Sequence, residues 1–295
     1  MQTIDFIHPE DAAALEALKK IPVLIRRYAI LFLFLCVYPN SVNAQIEKWD
    51  SLTNLARTYH QQKEYLKSND CYEQVISIVK PFDADGRLTN KIKGMIALNY
   101  VYLGVPLFKA KKYEESKSYF EKALEYSAND PKVLPMANSW MGDWYSSQAL
   151  QIRISESNLQ QAIDYSLMAE KYYKLANASG KCLKEQISRA VVLSDISRID
   201  DAKQVLQQVI TECEGKDERT NLLAKALSEL GAIEQNTENY QMAILYLEWS
   251  YNLSKSTDRQ NARISANRMQ RLYEAQIPDK TKAELWKKRA DELKD

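Results

Sequence analysis

From Gln45 onward, small and large apolar residues recur at helical spacing, in segments separated by short polar stretches. Ala56, Gly104, Ala190 and Gly231 are each followed twelve positions later by another small residue, Ser68, Ser116, Ala202 and Ala243. Four positions beyond each partner stands a large side chain, Tyr72, Phe120, Leu206 and Leu247; three before it stand Tyr65, Tyr113, Ile199 and Tyr240. Leucine precedes the first small residue in three copies (Leu55, Leu103, Leu230), and Arg189 is the exception. The spacing predicts helix-turn-helix hairpins. One small residue lets helix A approach its partner, the second does the same for helix B, and the large residue fills the space between neighbouring hairpins.

A fifth unit departs from the rule. Trp140-Met141-Gly142-Asp143-Trp144-Tyr145 opens it, but the small residue of its second helix, Ala162, comes twenty positions after Gly142. The excess of eight equals about two helical turns, so helix A or its turn is expected to extend around Ser147 to Asn158, as a surface insertion or as a ridge that a partner contacts. Linkers are expected at Phe82 to Asn90, Ser127 to Pro135, Ala178 to Lys181, Glu214 to Thr220 and Ser256 to Gln260. Asp130-Pro131 and Thr281-x-x-Glu284 read as helix starts. Asn261 to Lys294 reads as a closing helix pair with a charged outer face.

The copies Leu227-Ser228-Glu229-Leu230-Gly231 to Tyr240-Gln241-Met242-Ala243-Ile244-Leu245-Tyr246-Leu247, and Tyr113 to Ala123, resemble the tetratricopeptide repeat, whose small and large residues recur every 34 or so positions. The resemblance covers about Gln45 to Asp295. It implies an all-α, right-handed α-solenoid, with about five hairpins over 45–257 and a capping pair over 258–295. It also implies a concave face lined by the A helices that receives a protein or peptide partner. The groove positions it implies include Arg57, His60, Val101, Phe108, Lys109, Asp143, Asp195 and Gln235. One subfamily clamps a C-terminal carboxylate with Lys and Asn. The corresponding layer here holds Thr53, Val101, Ser139, Ile187 and Ser228, so that clamp is absent.

Composition supports helix: 295 residues, 45% hydrophobic, with only 7 Gly and 8 Pro. A formal charge of +1 gives no field to draw a polyanion, so no nucleic-acid partner is expected. Arg26 and Arg27, the apolar run Tyr28 to Tyr38 and the small-residue exit Val42-x-Ala44 read as a signal peptide over 24–44, cut between Ala44 and Gln45. The run is too short to span a bilayer, so no stable membrane span is expected in the mature chain. The expected location is exported, periplasmic or envelope-associated. Residues 1–23 read as an atypical extension, from a mispredicted start or a fusion.

Phe6 to Pro22 resembles the opening of certain bacterial zinc-dependent peptidases. Their metal helix needs His-Glu-x-x-His, and the only histidines are His8 and His60. No metal or cofactor is therefore expected. No Gly-rich phosphate loop or Gly-x-Ser-x-Gly elbow occurs, so no catalysis is expected. Cys182 and Cys213 stand at ends of one hairpin that antiparallel packing brings together, which makes them a candidate disulfide in an oxidising compartment, against two free thiols. Trp140, Trp144 and Tyr145 read as packing residues, with stacking on sugar rings as the alternative. The expected function is an exported scaffold for protein interaction. The alternatives are a stand-alone or truncated sensing portion of a repeat-containing transcriptional regulator, and a glycan-binding envelope protein.

Overall fold

The computed structural model describes residues 39–294, with side chains from Ala44. The apolar run Tyr28 to Tyr38 and the extension before it lie outside the described residues. The described chain is helical throughout, without strands: α1 (Pro39–Gln61), α2 (Tyr65–Val79), α3 (Arg87–Lys109), α4 (Tyr113–Ser127), α5 (Val133–Ser155), α6 (Leu159–Leu175), α7 (Ser179–Asp195), α8 (Ile199–Cys213), α9 (Thr220–Asn236), α10 (Tyr240–Ser254), α11 (Arg259–Arg271) and α12 (Lys280–Asp291). It divides into two units, Met1–Asn99 and Tyr100–Asp295, and the boundary falls within α3.

In the first unit α1 and α2 form a hairpin whose small residues meet as the spacing predicts. Ala56 and Ser68 are fully buried, and the Ser68 hydroxyl donates to the Ala56 carbonyl at 2.9 Å. Asn99, also fully buried, donates through Nδ2 to Ser68 Oγ at 3.0 Å and Asn69 Oδ1 at 2.7 Å. Its Oδ1 lies 2.6 Å from His60 Nδ1. An amide oxygen only accepts, so this contact assigns the proton to His60 Nδ1. Asp83 holds the start of α3 by accepting from the backbone N–H groups of Leu88 and Thr89 at 3.2 and 2.6 Å. Those bonds hold its carboxyl below the ordinary carboxylate value.

The second unit is an α-solenoid of successive antiparallel hairpins closed by α11 and α12. The turns inside the hairpins each carry one residue in the left-handed region: Lys111, Glu156, Ser197 and Glu238 here, and Lys63 in the first unit. In four of the five hairpins that residue lies seven positions after the small residue of helix A, as Lys111 follows Gly104.

The third hairpin obeys the same rule once its register is corrected. Seven positions before Glu156 stands buried Ala149, not Gly142. Helix α5 is no longer than α3, both having 23 residues, so no two-turn insertion or ridge exists. Gly142 lies two turns earlier in the helix, and the one residue left over sits in the turn before α6, where Asn158 caps the helix by accepting from Gln161 N–H at 3.1 Å.

Glycine is required where the helices cross. A Cβ on Gly104 would stand 2.5 Å from the Phe120 ring, one on Gly142 2.6 Å from the Tyr173 ring, and one on Gly231 2.8 Å from Leu247 Cγ. The same large residues reach into the next hairpin: Phe120 packs with Met141 and Trp144, and Leu247 with Met269, Leu272 and Trp286. Asp130 precedes α5 and accepts from the N–H groups of Lys132 and Val133, while the residue at the helix boundary is Lys132 rather than the expected Asp130. The cap of α12 is Asp279, which accepts from Lys282 N–H at 3.1 Å, rather than Thr281.

Candidate functional site

Each hairpin sets one layer of helix A against one of helix B, and the volumes compensate. In two hairpins a glycine of helix A faces a large buried residue of helix B, Gly104 against Phe120 and Gly231 against Leu247, and the same column holds buried Tyr72 and Leu206 in two others. In the third hairpin that column holds Ser166, opposite small Ala149. Nothing fills the layer. The space is a cleft of about 280 Å³ between α5, α6 and α7, lined by Ala149, Ser166, Asp143, Ser146, Leu150, Arg153, Tyr173, Lys181, Lys184, Glu185, Ser188 and Val192. Two turns earlier the exchange runs the other way, with Gly142 against Tyr173.

Glu185 of α7 is the buried charge of this cleft, at 5% exposure. Its two oxygens each accept one short hydrogen bond, Oε1 from the Ser166 hydroxyl and Oε2 from the Ser146 hydroxyl, both at 2.6 Å. None of the ion pairs among the described residues includes it. Burial pushes its carboxyl above the ordinary value and Glu170 adds to the rise, while the two serine bonds and Arg189 oppose it.

The second carboxylate, Asp143, already has a cation. Its Oδ1 accepts from the Tyr173 hydroxyl at 2.8 Å, and Lys181 Nζ donates to Oδ2 at 2.6 Å and Oδ1 at 2.9 Å. Burial, reinforced by Asp143, holds the Tyr173 phenol well above its ordinary range. At the rim, Arg153 pairs with Asp195 at 3.6 Å. Lys184 is exposed and takes part in no ion pair among the described residues.

Beside the cleft, Arg189 explains its own departure from leucine. Its Nε donates to Glu170 Oε1 at 2.6 Å and its Nη2 to Oε2 at 3.4 Å. Glu170 is 4% exposed on α6, and a leucine at 189 would leave it buried without a cation.

The expected groove residues do not form one surface. Asp143 lines the cleft, and Asp195 reaches its edge through Arg153. Val101 is not a groove residue: at 1% exposure it packs with Ala123 and Ala137. Phe108 is half-buried in an aromatic cluster, with ring centroids 5.6 to 6.3 Å from those of Tyr113, Phe120 and Trp140, so it joins hairpins instead of facing a groove. Arg57 is exposed beside Asn54 and His60 is tied to Asn99, both in the first unit. Lys109 is exposed and Gln235 half-buried, and neither lines the cleft.

Cys71, Cys182 and Cys213 are free and buried. No bridge joins Cys182 to Cys213, because Cys182 Sγ turns to the Glu170 carbonyl of α6 at 3.9 Å, while Cys213 is enclosed in the α7–α8 core. Burial raises all three thiols. Trp144 is 3% exposed and donates through Nε1 to the Tyr113 carbonyl at 2.9 Å, and Trp140 stacks on Phe120. Both therefore pack between hairpins. Among the described residues no group of His, Cys, Asp or Glu is placed to hold a metal ion. No described helix is long and apolar enough to cross a membrane.

Glu185, Ser146, Lys181, Lys184 and Arg153 were not singled out by sequence. The available signal was Ser166, the one small residue in a column otherwise of large ones.

A tetratricopeptide repeat model matches residues 50–78 and 100–130, so the chain contains tetratricopeptide repeats. No curated protein matches the chain in sequence. The crystal structure of BtubC (BKLC) from P. vanneervenii is similar in fold, with a TM-score of 0.52 at 14% identity over 78% of this chain and 90% of that one. A Rap protein complexed with competence and sporulation factor aligns over 84% of this chain and 76% of its own, at 14% identity and a TM-score of 0.46. PilF of Pseudomonas aeruginosa aligns over 83% and 99%, at 12% identity and 0.33.

Proposed function

We propose that the chain is an exported, non-enzymatic scaffold that holds a peptide segment of a protein partner in the cleft between α5 and α7. The observation that carries this reading is the unfilled layer at Ser166. There a solenoid that fills the corresponding layer of its other hairpins leaves about 280 Å³ open over a buried carboxylate. The repeats at 50–78 and 100–130 are compatible with it. Export rests on the basic, apolar and small-residue order of 24–44.

The test is a crosslinked affinity purification of the full chain from envelope and soluble fractions, run beside a Lys184→Glu variant, with the recovered N-terminus read by mass spectrometry. A stoichiometric partner that is lost from the variant, on a chain beginning at Gln45 in the envelope fraction, is the expected result. A partner retained equally by the variant removes the cleft from the reading. An intact chain beginning at Met1 removes export.

A further inference from the structure

We propose, resting on that reading, that the cleft selects a peptide carrying a basic side chain beside an acidic one, the cation paired with Glu185 and the carboxylate with Lys184 and Arg153. Glu185 is a buried carboxylate that has two hydroxyl donors and takes part in no ion pair among the described residues. An ionised carboxylate offers about four acceptor sites, so each of its oxygens retains one. A guanidinium or ammonium entering the cleft supplies the missing counter-charge in a site of low dielectric.

Asp143 does not compete for that cation, because Lys181 already neutralises it at 2.6 Å and Tyr173 donates to it as well. The cleft therefore has one receptive anion. At its mouth the balance is reversed. Lys184 is exposed without an ion pair among the described residues, and Arg153 holds Asp195 only at 3.6 Å. These two cations would repel a purely basic ligand, and an acidic neighbour on the same peptide converts that repulsion into attraction. Leu150, 54% exposed on the wall, gives apolar surface for the stem of the basic side chain. The volume suits a side chain and its neighbour rather than a folded surface.

The experiment pans the full chain against an immobilised random decapeptide library and compares it with Glu185→Gln and Lys184→Glu. Enrichment of Arg or Lys next to Asp or Glu is expected. Glu185→Gln should lower affinity for the enriched peptides at least tenfold and erase the basic preference. Lys184→Glu, an exposed change that spares the fold, should erase the acidic preference and keep the basic one. Enriched peptides without a basic residue, or enriched peptides bound equally by Lys184→Glu, overturn this inference and leave the peptide-scaffold reading standing. A library from which nothing is enriched overturns both. Circular dichroism melts of each variant separate lost binding from lost fold.

Discussion

Replacing Gly142 with Ala tests the corrected register of the third hairpin. The new Cβ would stand 2.6 Å from Tyr173 Cε1 and 2.7 Å from Cδ1, well inside contact distance. The ring has little freedom to retreat. Tyr173 is 4% exposed, and its hydroxyl is held at 2.8 Å by Asp143, the residue next to Gly142. Overpacking of this kind costs about 1–3 kcal/mol, and a hydrogen bond to a charged group is worth about 1.5–3 kcal/mol if the ring is pushed off it. Against these, alanine gains about 1 kcal/mol over glycine inside a helix. The net expectation is a loss of about 2–3 kcal/mol, a fall in Tm of roughly 5–10 °C for a unit of this size, read by circular dichroism. In a Tyr173→Ala background the clash is gone, and the same Gly142→Ala change should raise stability by up to about 1 kcal/mol. If Gly142→Ala alone raised Tm, Gly142 would not face Tyr173 and the register would be wrong.

Arg189→Leu introduces the leucine that three other hairpins carry at this position (Leu55, Leu103, Leu230) but strands Glu170 in the interior. It should cost about 3–5 kcal/mol, whereas Arg189→Leu with Glu170→Leu should return most of the loss in a urea titration; equal stability of the single and double variants would contradict this. Burial raises the folded Glu185 carboxyl above its ordinary 4.5, so its contribution to stability is fully present below about pH 4.5 and is lost as pH rises through the folded value. Glu185→Gln should therefore gain Tm relative to the parent as pH rises above about 4.5, and a difference that stays constant with pH would refute the assignment. Cys71, Cys182 and Cys213, all buried, should resist alkylation in the native chain and react in denaturant. A Cys182–Cys213 crosslinked peptide in a non-reducing digest would overturn the free-thiol assignment.

The repeat was readable because it is written in volumes. A glycine or alanine at a fixed distance before a tyrosine, phenylalanine or leucine is the imprint of a helix crossing, and Gly104 against Phe120 and Gly231 against Leu247 realise it in the structure. The third hairpin was misread because Gly142 is also a crossing glycine, but for a different layer. The left-handed residue that marks the turn, Glu156, carries no glycine or asparagine to announce it. The cleft was hidden for another reason. Its lining comes from three helices and its charges from two of them, α5 and α7, and only the corrected register brings Ser146 and Ser166 to the two oxygens of Glu185. Resemblance placed Val101 in the groove, but a helix A has only a narrow face free of its neighbours, and one step around the helix buries the side chain against Ala123 and Ala137.

Two neighbouring hairpins each give up stability, and both losses fall on one spot, where Ser166 of α6 meets Glu185 of α7. A serine at 166 forgoes the burial of a large side chain, worth about 1.5–3 kcal/mol, which Tyr72, Phe120, Leu206 and Leu247 supply elsewhere. Glu185 adds the cost of a carboxylate at 5% exposure without a cation. Sequences that specify a fold depart from local consistency mainly where function requires it, so coincident losses point to a selected feature. The consequence is measurable. Ser166→Leu alone removes a donor from Glu185 and should be destabilising. Ser166→Leu with Glu185→Leu fills the layer and removes the charge together, and should be more stable than the parent by about 2 kcal/mol while losing retained peptide. A double variant less stable than the parent would mean that the serines and Glu185 hold the hairpin together, and the cleft would then be a by-product of packing rather than a site.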